Sequence, residues 1–431
     1  MSAPGLILAA PASGSGKTVV TAGLLRALCE RGTRAAAAKI GPDYIDAGYH
    51  TAATGRPCRT LDSFAMRPAT LAHEAACAGE DADLVVAEGV MGAFDGAPDG
   101  RGSTAEVARL LGWPLVLVVD ARGMAASAGA LLHGFASFDP RVRLAGVIFN
   151  RVGSARHAAR LREGAAAAGV PVLGCLPRDD GVAVGARHLG LVQAHERAEV
   201  IETAAAWVAG HLDLDALVGS AAPAPGGAAP SRPPFPLLGA RIALAWDAAF
   251  SFVYPAVLDG WRRAGADLAP FSPLADEPPD RAADAIYLPG GFPERHAATL
   301  AAGSRWRAGV REAAARGVRI HGECGGYLAL GETLADDTGR AHAMAGVLPL
   351  AARMDGRTRT LGYRVARDHA LGAGGDLIHG HEFRAAEVTR EGPADPVFTA
   401  WDAAGNAWGG VGCAMGRVTG TFIHVVDRDP R

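Results

Sequence analysis

Short apolar runs alternate with longer amphipathic stretches along the first half of the chain. Residues 6–9, 35–40, 84–87, 115–119, 144–149 and 170–173 are nearly continuously apolar and mostly rich in Val, Leu and Ile. That is the pattern of parallel strands buried on both faces. Helical periodicity fills several of the gaps, over 19–31, 104–111 and 155–168. Together they predict a doubly wound α/β layout. A second alternation follows, with strands expected over 241–245, 267–271, 285–288 and 318–321. From about residue 345, shorter β-like pieces with Gly turns predict an antiparallel extension, closed by a last strand over 418–423. Between the halves, residues 219–236 read GSAAPAPGGAAPSRPPFP and carry no period. That composition marks a linker, dividing the chain into a domain over 1–218 and another over 237–431.

Composition narrows the field. The chain has 431 residues, 49% of them hydrophobic, enough for two sizeable cores. A net charge of −3 without basic runs argues against a nucleic-acid surface or an anionic membrane as partner. There is no apolar stretch long enough to span a bilayer. Residues 1–5 lack the basic start and apolar run of a signal peptide, so a cytoplasmic protein is expected. The six cysteines show no paired spacing, which fits reduced thiols rather than a disulfide framework or a zinc knuckle.

Two groups of residues carry chemistry. Ser13-Gly14-Ser15-Gly16-Lys17-Thr18 lies between the first strand and the first helix. Gly14, Ser15 and Gly16 would bring backbone N–H groups to phosphate oxygens, Lys17 would meet the β/γ-phosphates, and Thr18 would hold Mg²⁺. Pro11 stands where the usual motif has its first glycine. Two acidic clusters sit at strand ends: Asp43 in a Lys39–Asp46 run, and Glu88 ahead of Asp95. Strand ends are where such sheets bind ligands, so Asp43 and Glu88 are candidate Mg²⁺ ligands. Asp120 is a weaker candidate of the same kind. Asn150 could pair with an adenine edge, and Pro177 could close over the base.

The second group centres on Cys324 in Gly322-Glu323-Cys324-Gly325-Gly326. A strand-to-helix elbow is expected there, holding the sulfur out of the core near a helix N-terminus that favours thiolate. Gly290-Gly291 and Gly325 offer N–H groups for an oxyanion hole, taken as Gly291 and Gly325. His424, expected at the end of the last strand, is the candidate base. His321, His379 and His381 are its rivals; the His379-Gly380-His381 spacing does not suit a zinc site.

In order along nearly the whole chain, these motifs resemble the cobyrinate/hydrogenobyrinate a,c-diamide synthase family of cobalamin biosynthesis. The carrying segments are 10–18, Lys39–Asp46, Glu88–Gly92, Pro289–Glu294, Gly322–Gly326, Leu361–Arg364 and Gly380–Phe383. The resemblance implies a dethiobiotin synthetase-like P-loop domain, in which Pro11 is normal, followed by a class I glutamine amidotransferase domain. It implies ATP, glutamine and a corrinoid acid as small-molecule partners, and it implies Asp43, Tyr44 and Asp95 near the acceptor carboxylate. The substrate would be hydrogenobyrinic acid, amidated at its a and c carboxylates through acyl phosphates; cobalt-bearing cobyrinic acid is the alternative. A cobyric acid synthase and a P-loop ATPase switch or scaffold are more distant readings. Oligomeric state stays open, a homodimer being common in such families. Triad-type amidotransferases carry an acid two residues after the histidine; that position is Val426, so a Cys324–His424 dyad is expected. Alternation puts Asp427 on the opposite face from Val426.

Overall fold

A computed structural model describes residues 3–182, 186–187, 190–191, 198–224, 226–354 and 360–429. Met1, Ser2 and the linker residue Pro225 lie outside these. Two compact units emerge, one comprising residues 1–64 and 68–229, the other 65–67 and 230–431.

The first unit is built on β1 (Pro4–Ala9), β2 (Ala35–Ile40), β3 (Arg59–Leu61), β4 (Leu84–Glu88), β5 (Leu115–Asp120), β6 (Leu144–Val152) and β7 (Val172–Pro177). They lie in the order β3-β2-β4-β1-β5-β6-β7, all parallel. Leu6, Ile7 and Leu8 are fully buried, as continuous apolar strands covered on both faces must be. The order reverses at β1, flanked by β4 and β5, which makes a crevice at its C-terminal end. Helices α1 (Lys17–Glu30), α2 (Ile45–Thr54), α3 (Pro68–Ala78), α4 (Thr104–Leu111), α5 (Ala128–Phe138) and α6 (Ala155–Ala167) fall between the strands. A small hairpin, β8 (Ala186–Arg187) and β9 (Gly190–Leu191), and helices α7 (Ala198–Ala209) and α8 (Leu214–Gly219) follow. Inside the expected linker, β10 (Ala222–Pro223) pairs antiparallel with β1.

In the second unit, β11 (Arg241–Ala245), β12 (Asp267–Phe271), β13 (Ala285–Leu288) and β14 (Arg319–Glu323) are parallel. Helices α9 (Pro255–Arg263), α10 (Ala297–Ala302), α11 (Ser304–Ala315) and α12 (Gly325–Leu330) accompany them. A four-stranded sheet holds β15 (Thr333–Ala335), β16 (Ala341–Ala343), β17 (Leu350–Met354) and β20 (Ala386–Glu391). An antiparallel sheet holds β18 (Thr360–Asp368), β19 (Leu377–Arg384), β21 (Phe398–Asp402), β22 (Ala407–Val411) and β25 (Ile423–Asp429). Finally β23 (Cys413–Met415) and β24 (Val418–Thr421) complete the parallel sheet, with β24 beside β14.

The expected last strand over 418–423 is therefore two strands in two sheets, broken at Phe422. The run is buried on both sides of the break, so no change of period marks the change of sheet. Among the described residues, no helix is long and apolar enough to cross a membrane.

Candidate functional site

The phosphate loop sits at the crevice of the first unit. Gly14 and Gly16 adopt φ of +80° and +88°, which L-residues with a β-carbon rarely take. Lys17 Nζ donates to Met91 O at 2.7 Å, and Thr18 Oγ1 donates to Glu88 Oε1 at 2.9 Å. Burial lowers the Lys17 ammonium below its ordinary value, with Glu88 opposing. Glu88 is 1% exposed and lies among cations. His50 Nε2 is 2.6 Å from its Oε2, and Lys39 Nζ is 3.3 Å from the same oxygen. Lys39 also binds Asp46 at 2.7 Å. Burial alone would raise the Glu88 carboxyl, but Lys39, the His50 hydrogen bond and Lys17 outweigh it and hold the carboxyl at about 2.

The remaining expected residues of this unit have defined roles. Asp43 Oδ1 accepts the Asp46 amide at 2.9 Å and shapes the start of α2, next to Tyr44 at its N-cap. Asp95 Oδ2 accepts the Gly92 amide at 2.9 Å, bracing the loop that presents Met91. Met91 itself is held at φ +45°, a strained conformation for this residue type. Asp120 is engaged by Arg122 and Arg151 rather than left open at its strand end. Pro177 ends β7, and its carbonyl accepts the Trp207 indole at 3.2 Å.

Asn150 is tied to the phosphate loop. Its Nδ2 donates to Ser15 O at 2.9 Å and its Oδ1 accepts the Arg151 amide at 2.8 Å. One hydrogen of the amide nitrogen and one lone pair of the amide oxygen are thus used within the chain, and Asn150 anchors the phosphate loop. Lys39 and His50 were not assigned roles from sequence. The available signal was that Asp46 and His50 are four apart on one helix and share a face.

In the second unit, Cys324 caps α12 directly after β14, with φ +47° and ψ −105°. That is a strained elbow of the kind found at nucleophiles. The flanking glycines are required by contact: a β-carbon on Gly326 would lie 1.9 Å from Leu288 O. Cys324 is 6% exposed, so the sulfur is not held out of the core. Burial, with the Glu294 carboxylate next, pushes the thiol up to about 12, although the Gly325 amide hydrogen-bonds the sulfur and pulls the other way. The expected thiolate is thus corrected to a resting thiol. A helix of six residues and one amide do not offset burial among carboxylates. The thiol donates to Phe383 O at 3.7 Å.

His424 lies at the start of the last strand, β25, not at its end as expected. Its ring stacks on His381 at 4.8 Å between centroids and packs against Gly290, where an added β-carbon would sit 2.4 Å from Cε1. Burial holds the imidazole down at about 4, with Glu323 opposing. A β-carbon on Gly325 would lie 3.0 Å from the Gly291 amide nitrogen, so the two candidate oxyanion donors are neighbours. The rival histidines are otherwise occupied. His321 Nδ1 meets Thr419 Oγ1 at 2.8 Å, His381 Nε2 meets Tyr254 Oη at 2.6 Å, and His379 faces Asp429 at 3.3 Å. Asp427 is fully buried and binds the Arg67 guanidinium. A cavity of about 710 Å³ is lined by Arg364, Glu382, Arg384, Trp408, Thr421 and Phe422, among others.

Comparison with known proteins gives consistent matches. Residues 6–192 match the family model of the CobQ/CobB/MinD/ParA nucleotide binding domain, and 241–430 that of the CobB/CobQ-like glutamine amidotransferase domain. The chain is 50% identical over 428 residues to a hydrogenobyrinate a,c-diamide synthase of Brucella anthropi, covering 98% of each chain. It is 50% identical over 435 residues to the protein of that name from Rhodobacter capsulatus, with 98% of each covered. To the Rhizobium meliloti protein of the same name it is 47% identical over 430 residues, covering 98% of this chain and 99% of that one.

Proposed function

The chain belongs to the hydrogenobyrinate a,c-diamide synthase family, glutamine-dependent amidating enzymes, and we propose that it amidates the a and c carboxylates of hydrogenobyrinic acid using ATP and glutamine. The observation that carries this reading is likeness along nearly the full chain to proteins of that name, with both halves represented.

Glutamine is cleaved in the second domain, residues 237–431. Its side-chain amide carbon is attacked by the Cys324 sulfur as the thiol proton passes to His424. The tetrahedral oxyanion is held by the Gly291 and Gly325 amides. The amide nitrogen leaves as ammonia, taking the proton from His424, and water then hydrolyses the thioester to glutamate. Because the resting thiol and imidazole are both neutral, activation is a proton transfer during attack and not a standing ion pair. The cavity bordered by Glu382, Arg384 and Phe422 adjoins Phe383, whose carbonyl meets the sulfur, and supports glutamine entry there.

ATP is bound in the first domain, residues 1–218, at Gly14, Ser15, Gly16, Lys17 and Thr18, with Asn150 bracing the loop and Pro177 beside the base. A substrate carboxylate near Asp43, Tyr44 and Asp95 attacks the γ-phosphorus, ADP leaves, and ammonia displaces phosphate from the acyl phosphate. Thr18 and Glu88 offer adjacent oxygens, already 2.9 Å apart, that suit a hard divalent cation. With Asp43 they would hold Mg²⁺, which when bound supplies charge neutralisation on the phosphates. Lys17 spreads the remaining charge as the phosphoryl group transfers.

The test is an assay with hydrogenobyrinic and cobyrinic acids, ATP, and either glutamine or ammonia, each amidation followed by mass. Two successive amidations of the metal-free acid are expected; selective turnover of the cobalt form would reassign the substrate. Cys324→Ala should lose glutamine-dependent synthesis and keep ammonia-dependent synthesis. Loss of both would overturn the division of labour.

A further inference from the structure

We propose that Glu323, the residue immediately before the nucleophile, is a positioning residue that orients His424 and stabilises its protonated form. This rests on the reading of Cys324 and His424 as nucleophile and base.

Glu323 ends β14 and is 2% exposed. Its Oε1 accepts the Val425 amide at 3.1 Å, and its Oε2 accepts the Tyr287 hydroxyl at 2.7 Å. The same Oε2 lies 3.8 Å from His424 Nδ1. The register explains how it arrives there. Glu323 is paired with Thr421 across the β14–β24 ladder, so the chain passes the carboxylate as it crosses into β25. The position two residues beyond the histidine is Val426, fully buried and apolar. A carboxylate from a different strand therefore stands on the Nδ1 side of the ring.

At 3.8 Å the neutral ring and the carboxylate are beyond hydrogen-bond range. When the ring takes the Cys324 proton, the imidazolium is drawn to the Glu323 carboxylate on its Nδ1 side, and the contact closes. The other titratable groups around this pair are His381 stacked on His424, and Tyr287 and His321 beside Glu323, His321 at 3.9 Å. Around the sulfur stand Glu294 and Glu382.

Glu323→Gln keeps the shape and removes the charge. Expected are a fall in glutaminase kcat of about 10- to 100-fold, KM for glutamine within about twofold, and unchanged ammonia-dependent synthesis. The acid limb of the kcat/KM profile should move to lower pH, because the group favouring the protonated ring is gone. A wild-type kcat with an unmoved limb, or a loss confined to KM, would overturn the proposal. Should Glu323→Gln fail to fold, Tyr287→Phe tests the same idea. It leaves the carboxylate but removes its donor, so the limb should move to higher pH; no movement overturns the proposal. His424→Asn separates the two readings. If it retains glutaminase activity, the assignment of the base fails. If it is inactive while Glu323→Gln behaves as wild type, only the role of Glu323 fails.

Discussion

Thr18 Oγ1 and Glu88 Oε1 share a hydrogen bond of 2.9 Å that ties the first turn of α1 to the end of β4. The other Glu88 oxygen faces His50 and Lys39. One buried carboxylate thus serves both the phosphate loop and the buried pair of Lys39 and His50.

Glu88→Gln should abolish amidation with either nitrogen source and also weaken the first unit. Removing one partner of a buried ion pair costs about 3–5 kcal/mol. The pH dependence has a definite sign. The Glu88 carboxyl sits at about 2, below its ordinary value of 4.5. Its contribution is present above the ordinary value and is lost as pH falls from there towards about 2. Wild type should therefore lose stability across that window more steeply than Glu88→Gln, as read from denaturant midpoints at several pH values.

Cys324 should react slowly with iodoacetamide in the glutamine-free enzyme. Its thiol is pushed up to about 12 by burial and then by Glu294. The alkylation rate should rise about tenfold per pH unit between about pH 7 and 9 without a plateau, since only the thiolate reacts. A plateau near neutral pH would mean that a standing thiolate–imidazolium pair exists after all.

Gly290→Ala should damage glutamine cleavage selectively. The new β-carbon would lie 2.4 Å from His424 Cε1 and 3.3 Å from the Phe252 β-carbon, while His381 backs the ring at 4.8 Å. The imidazole must shift, and a misplacement of about 1 Å costs about 100-fold in rate. Overpacking should also destabilise the second unit by about 1–3 kcal/mol. Ammonia-dependent synthesis should survive, and parallel assays with the two nitrogen sources check this.

What could be read from sequence follows from which forces act locally. The strand runs over 35–40, 241–245 and 285–288 coincide with the observed strands because buried parallel strands are apolar along most of their length. The elbow at Cys324 was legible from its glycines, which the close approach of Gly326 to Leu288 O demands. Its protonation was not, because the burial that raises the thiol, and after it the charges of Glu294 and Glu382 from other segments, exist only in the folded chain. Glu323 was visible beside the cysteine, but its nearness to His424 depends on the break at Phe422 that sends β25 into a second sheet. Arg59–Leu61 is too short for its period to register.

Asn150 offers the sharpest contrast between the two levels of reading. Its residue type and strand-end position suggest an adenine contact, whereas its amide binds Ser15 O and the Arg151 amide. It is 4% exposed, and a β-carbon on Gly16 would meet its Nδ2 at 2.4 Å, so it fills the space beneath the loop. Asn150→Ala leaves the Ser15 carbonyl without this donor, a loss of about 1–3 kcal/mol. At about 1.4 kcal/mol per tenfold, KM for ATP should rise by about 5- to 100-fold. An anchor acts on the phosphates and does not touch the base, so KM for GTP should rise by the same factor and leave the ATP-to-GTP preference unchanged. An adenine contact predicts instead that the preference collapses while pyrophosphate binding is untouched. Steady-state kinetics with both nucleotides, and competition by pyrophosphate, decide between them.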